Sequence, residues 1–164
     1  RLLAACTLAG FAVLQVATGK EIICVKTESG CYAARWSPDE HQILAADQNK
    51  ILLFDAQTRA AISKPLEGHR YTINSILFTS DPRFFVSASY QQLLLWNIDT
   101  MQLVQEQRID GYRAAMSPDG ETVCTFGLSN IGESHKSNTE VWKLRVLEAS
   151  GNLRQRECSE NDDK

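Results

Sequence analysis

Two sets of landmarks recur along this chain with a spacing near forty residues, and that period limits the fold more than any other feature. The first set is a strand leading into a polar turn: Ala34-Arg35-Trp36-Ser37-Pro38-Asp39, Ile76-Leu77-Phe78-Thr79-Ser80-Asp81 and Ala114-Ala115-Met116-Ser117-Pro118-Asp119. Its aspartates stand 42 and then 38 residues apart. The second set is an apolar run closed by an aromatic and a polar residue: Ile51-Leu52-Leu53-Phe54-Asp55, Leu93-Leu94-Leu95-Trp96-Asn97 and Glu140-Val141-Trp142-Lys143. Val13-Leu14-Gln15 holds the same place near the start, and Leu14, Phe54, Trp96 and Trp142 are separated by 40, 42 and 46 residues. Two landmarks in phase indicate a repeated structural unit.

Within each period the apolar runs are four to six residues long and bounded by turn residues, as in Ile43–Ala46 before Asp47-Gln48-Asn49 and Phe84–Ser89 before Tyr90-Gln91. Runs of that length read as strands, and no amphipathic helix of ten residues precedes the C-terminal segment. The expected class is all-β: four-stranded antiparallel sheets, one per period, stacked face to face so that each hides its apolar side on the next. The divisions fall at a partial unit 1–23 (the last two strands of a sheet) and full units at about 24–65, 66–106 and 107–147. Residues 148–164 carry one leucine and many charges and read as a solvated tail.

The run Leu2–Thr18 is apolar apart from a few positions and admits two readings: two strands broken at Ala9–Gly10, or a targeting segment. The register of the repeats favours the strands. The first residue is Arg1, and the chain is expected to be a piece of a longer protein. Five cysteines stand at 6, 24, 31, 124 and 158 with no metal-ligand spacing. Cys24 and Cys31 can pair in a secreted protein, but an odd total among apolar neighbours reads more simply as reduced thiols. The net charge of −3 is spread without a basic stripe, which argues against nucleic acid as a partner.

The pattern resembles the WD-repeat family, whose units carry a Gly-His near the start and a Trp-Asp near the end. Gly68-His69 and Trp96-Asn97 frame one such unit, and the resemblance, strongest over 66–104, extends over residues 1 to about 147. Phe54-Asp55 and Trp142-Lys143 depart from the Trp-Asp pattern. The resemblance implies a β-propeller of which this chain supplies about three and a half blades. Further blades, from the parent chain or a second chain, are then needed to close the ring. It also implies that His69 is structural, bonded to Ser87 or Ser89 with Trp96 beside them. Tyr90 and Gln91 occupy the turn where many members place an aspartate.

The expected function is a non-enzymatic scaffold for other proteins, cytoplasmic or nuclear, with no metal or cofactor, no nucleic acid and no membrane. His41 and His135 read as surface residues, and Asp39, Asp81 and Asp119 as turn formers that bond their own backbone. Trp36, Trp96 and Trp142 read as wedges between sheets. The third unit needs 23 residues from its turn aspartate to its aromatic where the others need 15, which places an insertion near 127–138. In the family this connection lies on the face most used for binding. Candidate partner-binding residues are therefore Glu67, Arg70, Tyr71, Tyr90, Gln91, Asn130, Ile131, Glu133 and His135. The alternatives are a propeller-type lactonase or hydrolase, and a secreted or membrane-anchored propeller protein. The first needs polar side chains converging on a central channel, where Ala33-Ala34-Arg35-Trp36 and Ser75-Ile76-Leu77-Phe78 are largely apolar.

Overall fold

The segment Phe84–Ser89 carries Phe84, Val86 and Ala88 on one face and Phe85 with two serines on the other, small or apolar side chains throughout that suit a strand with a sheet packed on either side. In the computed structural model all six of its residues are buried. The described residues are 2–7, 9–27, 30–58, 60–129, 136–145 and 152–156, with side chains described as far as residue 127.

They form fifteen strands in four antiparallel sheets. The first sheet holds β1 (Leu2–Thr7), β2 (Gly10–Gln15) and β3 (Glu21–Lys26). The second runs β4 (Cys31–Trp36), β5 (Gln42–Asp47), β6 (Lys50–Asp55) and β7 (Leu66–Glu67). The third runs β8 (Ser75–Phe78), β9 (Phe84–Ser89), β10 (Gln92–Asn97) and β11 (Gln102–Arg108). The fourth runs β12 (Arg113–Met116), β13 (Thr122–Ser129), β14 (Lys136–Arg145) and β15 (Asn152–Arg156). Within each sheet every strand pairs with its sequence neighbour, so each sheet is a meander, and the chain passes from the second sheet to the third through residues 68–74 and from the third to the fourth through residues 109–112.

These passages, and the end of β3 at Lys26, differ from the divisions drawn on the sequence at 23/24, 65/66 and 106/107. The landmarks mark first turns and third strands, whereas the sheet ends where its outer strand ends. The first sheet accordingly has three strands rather than two. Residues 152–156, inside the stretch expected to be a solvated tail, form the outer strand β15 paired with β14. The insertion does not make a plain loop either. It lengthens the β13–β14 hairpin, where Gly127 faces Asn138, Leu128 faces Ser137 and Ser129 faces Lys136.

Alternation along the strands divides their side chains between two interfaces. Ile43, Ala45 and Phe54 join Phe11, Val13 and Ile23 between the first and second sheets. Leu44, Ala46, Ile51 and Leu53 join Ile76, Phe85, Leu94 and Trp96 between the second and third. Phe84, Val86, Leu93 and Leu95 join Ala114 and Val123 between the third and fourth. Three separate cores between four sheets is the nearest-neighbour arrangement of a repeat protein. The other face of the first sheet shows Leu3, paired with Leu14 and 53% exposed, to solvent.

Phe54 and Trp96 occupy the same place, the fifth residue of a third strand, and each packs toward the preceding sheet. The polar residue that follows closes the next turn. Asp55 accepts hydrogen bonds from the amides of Gln57 and Thr58, and Asn97 from those of Asp99 and Thr100. The first turns of the second and fourth sheets are built alike. The Ser37 hydroxyl caps Gln42 and bonds Asp39, whose carboxylate takes the His41 amide; Ser117, Thr122, Asp119 and Glu121 repeat the set. Trp36 is not an equivalent of Trp96: it ends an innermost strand and is half-buried.

Glu40 and Gly120 hold the same position in these turns, with φ of 61° and 70°. Glu40 tolerates it in open space, but a Cβ on Gly120 would lie 2.4 Å from the Ser80 amide nitrogen of the neighbouring sheet. That amide also donates to the Gly120 carbonyl at 3.0 Å. Gly120→Ala is expected to lower stability by about 2 kcal/mol through positive φ and backbone clash together. Glu40→Gly is expected to be neutral or stabilising, and denaturant unfolding of the two variants checks the contrast.

Candidate interaction face

In a meander the start of the first strand, the second-to-third turn and the end of the fourth strand share one end of the sheet. The passages between sheets gather there too. Backbone hydrogen bonds tie neighbouring sheets together at this end: the Ile73 amide donates to the Gln48 carbonyl at 2.7 Å, and the Gln91 amide to the Gly111 carbonyl at 2.8 Å. All four tyrosines of the sequence, Tyr32, Tyr71, Tyr90 and Tyr112, lie in these segments. Tyr71 and Tyr90, about half exposed, meet edge to face with ring centroids 5.4 Å apart. Arg70 and Arg113 are exposed beside them, the Arg113 guanidinium lying 5.8 Å from the Tyr112 ring. The opposite end collects the turn acids Asp39, Glu40, Asp55, Asp81, Asp99, Asp119 and Glu121, with Arg83 paired to Asp81.

Under the tyrosines the structure brings His69, Ser87, Ser89 and Trp96 into one buried network. His69 Nδ1 lies 2.7 Å from Ser89 Oγ and Nε2 lies 2.6 Å from Ser87 Oγ. Trp96 Nε1–H donates to Ser87 Oγ at 2.8 Å. One proton assignment satisfies every link: indole N–H to Ser87, Ser87 O–H to His69 Nε2, and His69 Nδ1–H to Ser89. The ring is 4% exposed, and burial pulls its pKa down to about 4, with the Gln92 side chain opposing part of that effect. The imidazole is therefore neutral near pH 7.

No acid takes part in these bonds. The turn position that an aspartate would fill holds Tyr90 and Gln91, and Gln91, at φ 57°, is fixed through its backbone to Gly111 and Ile109. Gln92 and Asn49, which the sequence did not single out, steady the His69 loop. The Gln92 amide oxygen accepts from the Arg70 amide at 2.8 Å, and the Asn49 side chain donates to the His69 carbonyl at 3.0 Å. Their position at the start of a third strand and in a turn gave no chemical signal by itself.

The other candidate residues divide. Arg70, Tyr71 and Tyr90 stand together on the exposed rim, and Gln91 is half-buried there. The Glu67 carboxylate is bound by Lys50 at 2.8 Å across the β6–β7 pair, with side chains 69% and 48% exposed, so the pair is a weak surface contact. Asn130, Ile131, Glu133 and His135 lie outside the described residues. His41 is exposed, and Asp39, Asp81 and Asp119 sit in three separate sheets bonded within their own turns. Among the described residues no three His, Cys, Asp or Glu side chains converge on a common point. No helix there is long and apolar enough to cross a membrane.

The comparisons with known proteins point one way. The family model described as "WD domain, G-beta repeat" matches residues 61–97, the stretch from β7 to the end of β10 that contains His69, Ser87, Ser89 and Trp96. The chain is 35% identical over 116 residues to apoptotic protease-activating factor 1 of Mus musculus, covering 68% of this chain and 9% of that protein. It is 29% identical over 72 residues to the intraflagellar transport protein 122 homolog of Xenopus tropicalis, covering 43% of this chain and 6% of that one. The matched segment thus spans less than a tenth of either relative. Among solved structures, Kuenenia stuttgartiensis hydrazine synthase superimposes with a TM-score of 0.74 at 15% identity, over 94% of this chain and 50% of that one, a likeness of fold. With its repeating four-stranded sheets, its Gly-His to Trp-Asn unit and these relatives, the chain belongs to the WD-repeat family and forms β-propeller blades.

Proposed function

We propose that the chain is part of a non-enzymatic scaffold that binds other proteins through the tyrosine-bearing end of its sheets. The observation that carries this is the gathering of Tyr32, Tyr71, Tyr90 and Tyr112 with Arg70 and Arg113 at one end of a stack fixed by three packed cores. Tyrosine and arginine give large contact area and several donors at modest entropic loss, and they dominate binding hot spots. The opposite end, rich in acids already used inside their turns, offers less. A protein partner suits this face better than nucleic acid, because the three exposed arginines there, Arg70, Arg108 and Arg113, neutralise few phosphates. Further blades, from a longer chain or a second one, complete the ring beside the first sheet, whose free face bears Leu3 and Leu14. A cytoplasmic location accords with unpaired cysteines.

An enzyme would need polar groups converging from several sheets onto the innermost strands. The open cavity there, about 210 Å³, mixes Ala33, Ala34, Ile76, Leu77 and Ala114 with Cys6, Tyr32, Arg35, Asn74 and Ser75. That lining holds no carboxylate or imidazole to act as a general acid or base, which favours the scaffold.

The test is affinity capture with the full chain, comparing a triple variant at Arg70, Tyr71 and Tyr90 (each to Ala) with a control variant, Asp81→Ala/Arg83→Ala. Loss of a bound protein by about 30-fold in the first and not the second is expected for a hot-spot cluster. An unchanged set of bound proteins in the triple variant would discard this face.

A further inference from the structure

The thiols of Cys6 on β1 and Cys31 on β4 lie 3.0 Å apart, Sγ to Sγ, although 25 residues separate them. The sequence read the cysteines as reduced thiols, with a Cys24–Cys31 pair open only in a secreted protein; Cys24 is exposed on β3, and the stacking of the first sheet on the second sets Cys6 against Cys31. The two sulfurs are chemically unequal. Cys31 is 5% exposed and donates to the Ala33 carbonyl at 3.3 Å, whereas Cys6 is solvent-exposed. Contact with Cys31 lowers the pKa of Cys6, helped by the charge of Arg35, while the same contact and burial raise that of Cys31. Cys6 and Arg35 line the same open cavity, which sets a cationic side chain near the thiol.

We propose that Cys6 and Cys31 form a reversible thiol-disulfide switch that staples the first sheet to the second, oxidised by an anionic low-molecular-weight disulfide of the glutathione type. The Cys6 thiolate attacks one sulfur of that disulfide. A mixed disulfide forms and one small thiolate leaves. This step removes the negative charge that held the proton on Cys31. Cys31 then loses its proton to solvent and attacks the Cys6 sulfur, forming the Cys6–Cys31 bond and expelling the second small thiolate. Two electrons pass to the oxidant, which ends as two thiols, and an excess of small thiol reverses both steps. A disulfide needs the sulfurs about 1 Å closer than they stand, a shift that side-chain rotation supplies.

The experiment exposes the full folded chain to oxidised glutathione, traps free thiols with an alkylating reagent, and maps the products by peptide mass spectrometry. A Cys6–Cys31 linked peptide is expected, about 2 Da lighter than its two reduced parts, reverting with reduced glutathione. The linked chain should unfold at a temperature higher by roughly 5 °C, because the bridge closes a loop in the unfolded state. Cys31→Ser should instead hold glutathione stably on Cys6, and Cys6→Ser should leave Cys31 unmodified while the chain stays folded. Stable glutathione on Cys6 of the unaltered chain beside a free Cys31 would overturn the switch. So would a Cys24–Cys31 link, or two thiols that alkylate as readily after oxidant as before it.

Discussion

Replacing Trp96 with alanine is expected to destabilise the chain by about 3–5 kcal/mol, the largest loss for any single side chain considered. The ring is 2% exposed in the core between the second and third sheets, nearly parallel to Phe85 at 6.2 Å between centroids. It also fills the notch over Gly68, where a Cβ would meet its Cη2 at 3.0 Å. Truncation opens a cavity, strips Ser87 Oγ of its indole donor, and frees the His69 loop at once. Because each core joins only two sheets, the damage concentrates at one interface and should broaden the unfolding transition as well as lower its midpoint. Trp96→Phe keeps the ring contact but loses the donor and some volume, for about 1–2 kcal/mol. Trp36→Ala is the internal control. Trp36 is half-buried and its buried Nε1 has no hydrogen-bond partner, so its loss should cost markedly less. Equal losses at Trp36 and Trp96 in denaturant titrations would contradict the wedge role of Trp96.

The contrast between those two tryptophans shows what the sequence could convey. Trp96 was legible because two things recur with it: an apolar run before and a turn-capping Asp or Asn after. The turn chemistry, Asx capping by Asp55 and Asn97 and hydroxyl capping by Ser37 and Ser117, demands particular residue types at fixed offsets, so it leaves a period in the sequence. The network was expected only through the resemblance carried by Gly68-His69 and Trp96-Asn97; in the structure Ser87 and Ser89 alternate onto the face of β9 that His69 and Trp96 meet. Outer strands leave no such trace. β15 (Asn152–Arg156) is the edge strand of its sheet, and its polar composition matches that of a tail. β7 has two residues and no pattern at all. The Cys6–Cys31 contact depends on how two sheets stack, which no local spacing encodes. Trp36, in phase with Ser-Pro-Asp rather than with the third strand, packs against the core between the first and second sheets but is only partly buried, a difference from Trp96 that its residue type does not encode.

Acidification should expose the second large effect, at His69. The folded chain holds this imidazole near pKa 4, against 6.5 for the free side chain, because its burial disfavours the cation. Between those two values the unfolded chain binds a proton that the folded chain refuses. Stability from this group is therefore complete above about pH 6.5 and is lost as the pH falls toward 4, by about 3 kcal/mol in total. Below that, both states carry the proton and the contribution stays flat. The carboxylates of Asp39, Asp55 and Asp81 act lower on the scale, since turn hydrogen bonds and, for Asp81, foremost the Arg83 guanidinium hold them under their ordinary value of 3.8. Urea unfolding at about pH 7 and about pH 4.5 should show the chain losing most of that energy. His69→Gln keeps a donor and an acceptor near Ser87 and Ser89 but no titrating group, so it should be weaker than the unaltered chain at pH 7 and nearly as stable at the lower pH. A family member with an aspartate beside the histidine would stabilise the imidazolium and shrink this slope; here Tyr90 and Gln91 stand in that turn, and the pH dependence is the consequence. Parallel slopes for the two chains across this window would show that His69 is not held neutral by its burial.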